Sequence, residues 1–146
     1  MMRKVIFATM VLMLLSSVGY GADWKYIYTA ATGGEWFYDT QSISRKQDIT
    51  KILIKSILSD KEKANYIKHH PKILSIKKIS YTSGRWEVDC VKYKFRVLSA
   101  NMYGSDGNIF YSVGSPNSYF LKVVPGSTIA KLVEIICKEG EGVWQK

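Results

Sequence analysis

Residues 85–100 read RWEVDCVKYKFRVLSA. Trp86, Val88 and Cys90 alternate with Arg85, Glu87 and Asp89, the period of a strand with one buried face. After Cys90 the phase slips by one, and Val91, Tyr93, Phe95 and Val97 become the apolar positions. Such a slip moves every later side chain to the other face. The stretch therefore predicts one long strand, Arg85–Ala100, with a β-bulge or sharp bend near Cys90–Val91.

Working outward, the same alternation recurs on both sides. Trp24, Tyr26 and Tyr28 are aromatic at every second position and predict a strand over 23–31 with the three rings on one face. Thr32-Gly33-Gly34 is a turn signal, and Glu35–Thr40 forms the return strand of a hairpin, with Trp36 and Tyr38 in register. Ser42–Asp48 is polar and reads as a loop. Ile49–Leu58 is rich in β-branched residues and reads as a strand. Lys61–His70 lacks β-branching except at Ile67 and reads as a short helix that stops before Pro71. Ile76–Tyr81 predicts a strand, and Ser83-Gly84 a turn or kink. Asp106-Gly107 is a hairpin turn, followed by strands over Ile109–Val113 and Tyr119–Val124.

Pro125-Gly126-Ser127 ends the sheet, and Ser127 suits a helix N-cap. Ile129, Leu132, Val133 and Ile136 then repeat at helical spacing, with Cys137 on the same side and Lys131, Glu134 and Lys138 outward. The fold class is α+β: an antiparallel sheet of about six strands with a C-terminal helix docked on it.

The chain begins with Met1-Met2-Arg3-Lys4, an apolar run from Val5 to Leu15, and then the small residues Gly19 and Gly21. This is the order of a secretory signal peptide, cut after Gly21 or after Gly19. The run is shorter than the roughly 20 residues of a membrane span. No Cys follows it to carry a lipid. The expected product is a single domain over 22–146, periplasmic or secreted after cleavage. Export places Cys90 and Cys137, the only two cysteines, in an oxidising compartment, where an even pair predicts a disulfide. CxxC spacing is absent, which argues against a redox or metal pair. The helix face bearing Cys137 and the strand face bearing Cys90 agree on the bridge.

Of 21 Lys plus Arg, Arg3 and Lys4 fall in the leader, which leaves 19 against all 12 acids and a charge of +7. Lys61, Lys63, Lys68, Lys72, Lys77 and Lys78 are opposed within their stretch only by Glu62. They form a candidate basic binding surface for an anionic partner such as a glycosaminoglycan, a lipid head group or an acidic protein patch; the alternative is a solvated face. The leader directs the chain away from nucleic acid, and no nucleic-acid motif is present. His69 and His70 are adjacent in this lysine-rich segment, with no acidic cluster or nucleophile motif beside them. They read as solvated histidines rather than bases or metal ligands. Glu87 and Asp89 are spaced as paired carboxylates, but alternation alone places them on a polar, solvent-facing side. No cofactor or metal is implied.

The order of motifs is specific where each motif is weak. An early Trp24 precedes Gly-Gly-Glu-Trp-Phe-Tyr-Asp at 33–39. Tyr81, Val88-Asp89-Cys90, Arg96-Val97-Leu98-Ser99, Tyr103, Asp106-Gly107 and Val124-Pro125-Gly126-Ser127 follow, and last a helix bearing Cys137. This series, from Trp24 to Lys138, resembles the surface-adhesin protein E family of Gram-negative bacteria. The resemblance implies an antiparallel sheet with a helix packed on it and the Cys90–Cys137 bridge. It also implies an exported, non-enzymatic binding protein whose partners are extracellular-matrix and serum proteins such as laminin, vitronectin and plasminogen. The alternative is a cell-envelope enzyme or enzyme-inhibitor module, which would show a deep pocket at His69, His70 or the Glu87/Asp89 pair. A flat, basic, aromatic face favours binding.

Overall fold

The computed structural model describes residues 21–69 and 78–141. The predicted leader, apart from Gly21, and the segment His70, Pro71, Lys72 to Lys77 lie outside the described residues.

One antiparallel sheet forms the body. Its strands are β1 (Trp24–Thr29), β2 (Glu35–Asp39), β3 (Ser44–Lys46), β4 (Ile49–Ile57), β5 (Ile79–Asp89), β6 (Lys94–Gly104), β7 (Ile109–Gly114) and β8 (Leu121–Lys122). The main path runs β1-β2-β4-β5-β6-β7, while β3 adds to β4 and β8 to β6. Among the described residues two α-helices, α1 (Asp60–His69) and α2 (Thr128–Glu141), and a 3-10 turn, Thr40–Ser42, complete it.

Helix α2 lies across one face of the sheet. Leu132, Val133 and Ile136 meet Tyr38, Ile52, Ile54, Trp86 and Val88 in the buried core. The Ser127 hydroxyl accepts the Ala130 amide at 3.1 Å and caps the helix as its sequence predicts. Lys131, Glu134 and Lys138 are exposed. The Cys90–Cys137 disulfide, with Cα atoms 5.7 Å apart, fastens the helix to the end of β5. Closing a loop of 47 residues stabilises the fold by about 4 kcal/mol in the chain-entropy account.

Helix α1 buries no side chain. A reciprocal cap holds its start: the Ser59 amide donates to Glu62, and the Glu62 amide donates to the Ser59 hydroxyl. The Ser59 hydroxyl also donates to the Thr32 carbonyl and ties α1 to the β1–β2 turn.

The structure departs from the sequence expectations in five places. The stretch 85–100 is not one strand. It is the end of β5, a tight turn at 90–93, and the start of β6. The phase slip is that turn. One Asp89 carboxylate oxygen accepts the amides of Val91 and Lys92, and Tyr93 takes a positive φ of 53°. Asp and Asn side chains favour such turns, so the reversal forms without a glycine. Second, Ser83-Gly84 is no turn but lies inside β5. A Cβ at Gly84 would meet the Ser99 carbonyl at 2.6 Å, so glycine there permits the close approach of β6.

Third, Trp24, Tyr26 and Tyr28 do not share a face. The β1–β2 register shifts between Tyr26 and Tyr28. That bulge sends Tyr28 toward α2, where its hydroxyl donates to the Thr128 carbonyl, and leaves Trp24 and Tyr26 on the opposite face. Fourth, the loop expected at 42–48 contains β3, and the last strand shrinks to the two residues of β8. Fifth, Glu87 and Asp89 are buried rather than solvent-facing, for reasons given next.

Candidate functional site

The sheet has a second face, opposite α2, bordered at β4 by the short 3-10 turn Thr40–Ser42. Antiparallel pairing places opposed residues on the same face. The pairs Tyr26–Phe37, Phe37–Lys55, Lys55–Ser83 and Ser83–Asn101 form one row across this face. Tyr81 pairs with Tyr103 beside it.

These side chains make an aromatic cluster around one cation. The Lys55 ammonium lies 4.6 Å from the centre of the Tyr81 ring, 5.4 Å from Trp24 and 6.0 Å from Phe37. Each ring presents the negative face of its quadrupole to the charge. Tyr81 and Tyr103 stack at 4.4 Å, nearly parallel. Tyr26 meets Phe37 edge to face at 5.7 Å and remains 51% exposed. The cluster is thus a half-open platform with a positive centre.

Next to it the face becomes cationic. Leu53, Arg85 and Ser99 form one row; Ser44, Lys51, Glu87 and Arg96 form the next; Lys46, Ile49, Asp89, Lys94 and Lys122 form the last. With the Lys55 row these carry Lys46, Lys51, Lys55, Arg85, Lys94, Arg96 and Lys122, beside the carboxylates of Glu87, Asp89 and Asp39, with Glu35 in the row beyond Lys55.

Glu87 and Asp89 are spent on structure. Asp89 caps the turn at 90–93. Glu87 is only 4% exposed because Arg96 folds over it. Arg96 donates to Glu87 from Nε at 2.6 Å and reaches the Ser118 carbonyl, with Phe120 against its guanidinium at 4.6 Å. Lys51 closes the other side of Glu87 at 3.2 Å. Burial alone raises the Glu87 pKa, but the hydrogen bonds and charges of Arg96 and Lys51 prevail and hold it below its usual value. Both carboxylates are thus held in a turn and an ion-pair cluster. The solvent-facing expectation fails because the 115–122 segment runs beside β6 and brings Ser118 and Phe120 over that spot.

Two shallow grooves score this face. One, of about 420 Å³, is bordered by Ser42, Lys51, Leu53 and Arg85; the other, of about 380 Å³, by Ser44, Lys46, Lys51, Arg96 and Phe120. Neither reaches His69, which is exposed at the end of α1 and donates from Nδ1 to the Asn65 carbonyl of its own helix. Among the described residues no three His, Cys, Asp or Glu side chains come together to hold a metal.

The predicted lysine stretch is divided. Lys61 and Lys68 lie on one side of α1 and Lys63 on the other, as their helical spacing requires. Lys61, Lys68 and Lys78 are exposed, Lys63 is half-buried, and Lys72 and Lys77 lie outside the described residues. The aromatic cluster and the cationic rows were not singled out from sequence. Their linear signals are the period-two aromatics Trp24 and Tyr26 in β1 and the alternation of Lys51, Leu53 and Lys55 in β4.

The profile of surface-adhesin protein E matches residues 24–138, from the first residue of β1 to the last turns of α2. The chain belongs to the surface-adhesin protein E family. It is accordingly an exported, adhesin-like surface protein. A crystal structure of Haemophilus influenzae protein E (crystal form II) aligns over 85% of this chain and 97% of that one, at 16% identity and a TM-score of 0.53. A second Haemophilus influenzae protein E structure aligns over 83% and 92%, at 15% identity and a TM-score of 0.49. No curated protein matches the chain. At this identity the first alignment speaks for a shared protein E fold. Among the described residues no helix is long and apolar enough to cross a membrane.

Proposed function

We propose that this member of the protein E family is a non-enzymatic binding protein that meets its partner with the sheet face opposite α2. The partner is a protein or an anionic polymer outside the cytoplasm. One observation carries the reading: among the described residues this face joins an aromatic platform around Lys55 to a field of cations in which Asp39, Glu87 and Asp89 are already committed to structural contacts.

Tyr, Trp and Arg are the residues that dominate binding interfaces, because they bury large area at low entropic cost and retain a polar handle. The cations draw an acidic partner and fix its register. Among the described residues the one histidine, His69, bonds a carbonyl of its own helix and no hydroxyl of this face.

The test is capture of partners by the mature domain from surface or matrix extracts at low and high salt. Charge reversal at Lys55 and Arg85 is expected to abolish capture, and salt to weaken it. The rival basic surface is tested by reversal at Lys61, Lys63, Lys68, Lys72, Lys77 and Lys78. Loss of capture only in that second variant overturns the assignment to the sheet face.

A further inference from the structure

We infer that the cationic part of this face is a site for a linear acidic polysaccharide, one that carries a carboxylate or sulfate on successive sugars. The inference rests on the sheet face being the binding surface and goes on to name the ligand class.

Charge is the first argument. Lys46, Lys94 and Lys122 lie in one cross-strand row that spans four strand spacings, about 19 Å. Lys51 and Arg96 stand in the neighbouring row, where both already pair with Glu87 and leave one net positive charge. A chain of repeating anions meets such a row at several points, which a single small anion does not.

Shape is the second. The grooves here are shallow and open along the face, and they lack the depth that encloses a compact ligand. Chemistry is the third. An extended acidic peptide docks by adding a strand to a sheet edge, where backbone groups are free. A sheet face has none to give, since the ladder uses them. A polysaccharide asks for no backbone donors. It needs cations for its acid groups and ring faces for its C–H surfaces, and the exposed Tyr26 and the Tyr81–Tyr103 stack lie farther along the same face, about 20–27 Å from the Lys46–Lys94–Lys122 row, within the length of one extended chain.

The measurement is calorimetric titration of the mature chain with three probes of similar length: a heparin-derived decasaccharide, an oligogalacturonate and a poly-glutamate peptide. A triple variant, Lys46→Glu with Lys94→Glu and Lys122→Glu, is compared with a control triple on α1, Lys61→Glu with Lys63→Glu and Lys68→Glu. Melting temperatures of all forms confirm folding. At least one saccharide is expected to bind more tightly than the peptide, to weaken at least tenfold in the sheet-face variant, and to keep its affinity in the control. Tighter binding of the peptide, equal saccharide binding by the two triples, or no saccharide binding overturns the inference. If partner capture still depends on Lys55 and Arg85 in those cases, the sheet-face reading stands and the ligand class alone is wrong.

Discussion

The Lys55 ammonium sits 4.6 Å from the centre of the Tyr81 ring, on the face of the sheet that α2 leaves open. The pair ties the aromatic cluster to the cationic rows, because Lys55 belongs to both. Lys55 is half-buried and its contacts are rings rather than carboxylates, so Lys55→Gln should alter stability by less than about 1 kcal/mol. Partner capture should nonetheless fall sharply. Thermal melts beside a capture assay separate the two effects; a large drop in melting temperature would make Lys55 a structural residue.

Glu87 answers to the opposite logic. Its carboxylate is enclosed by Arg96 and Lys51, which are themselves 27% and 60% exposed, so its removal takes away charge-assisted hydrogen bonds rather than stranding a buried charge. Glu87→Ala should therefore destabilise the domain by about 1–2 kcal/mol, read from urea unfolding.

The same cluster sets a pH dependence. The folded-state pKa of Glu87 lies below its usual value near 4.5. The stabilisation is thus fully present above that value and is lost as pH falls through the lowered folded pKa. Glu87→Gln should flatten this acid limb of the stability profile, as measured by unfolding at a series of pH values below 5. An unchanged acid limb would show that the pair contributes nothing.

The Cys90–Cys137 bridge is expected to carry about 4 kcal/mol. Cys137→Ser should lower stability by that order, and non-reducing mass analysis of the native chain should show two hydrogens fewer than the reduced chain.

Gly84→Val tests the close approach of β5 and β6. The added side chain would collide with the Ser99 carbonyl, which belongs to the backbone and cannot swing aside. Destabilisation of about 1–3 kcal/mol is expected from overpacking. A neutral effect would mean that the strands part without penalty.

Much of the fold was legible in the chain. The alternation in 49–57, the apolar stripe of 129–136 and the Ser127 cap each follow a local rule, and each appears where the rule places it. The turn at 90–93 was masked because its positive φ falls on Tyr93 rather than on a glycine or asparagine. What remained looked like a continuous strand with a slipped phase. Glu87 read as exposed because alternation shows which residues share a face, not which segment later covers it. The cover here is Arg96, held over Glu87 by Ser118 and Phe120 from a stretch too irregular to carry a period. The aromatic cluster was hidden for a related reason. Trp24, Phe37, Lys55, Tyr81 and Tyr103 come from five strands, and only the register of four pairings, two of them irregular (at Tyr26–Tyr28, and at Ile79–Tyr81 and Arg85–Trp86), brings them together.

The central claim concerns which surface a partner covers, and lysine reactivity reads that directly. The mature protein is methylated at lysine with and without its captured partner, and each site is quantified by mass spectrometry. Protection of Lys46, Lys51, Lys55, Lys94 and Lys122, with Lys61, Lys63, Lys68, Lys131 and Lys138 still reactive, is the predicted result. Protection of the helix lysines with the sheet-face lysines still reactive would contradict it.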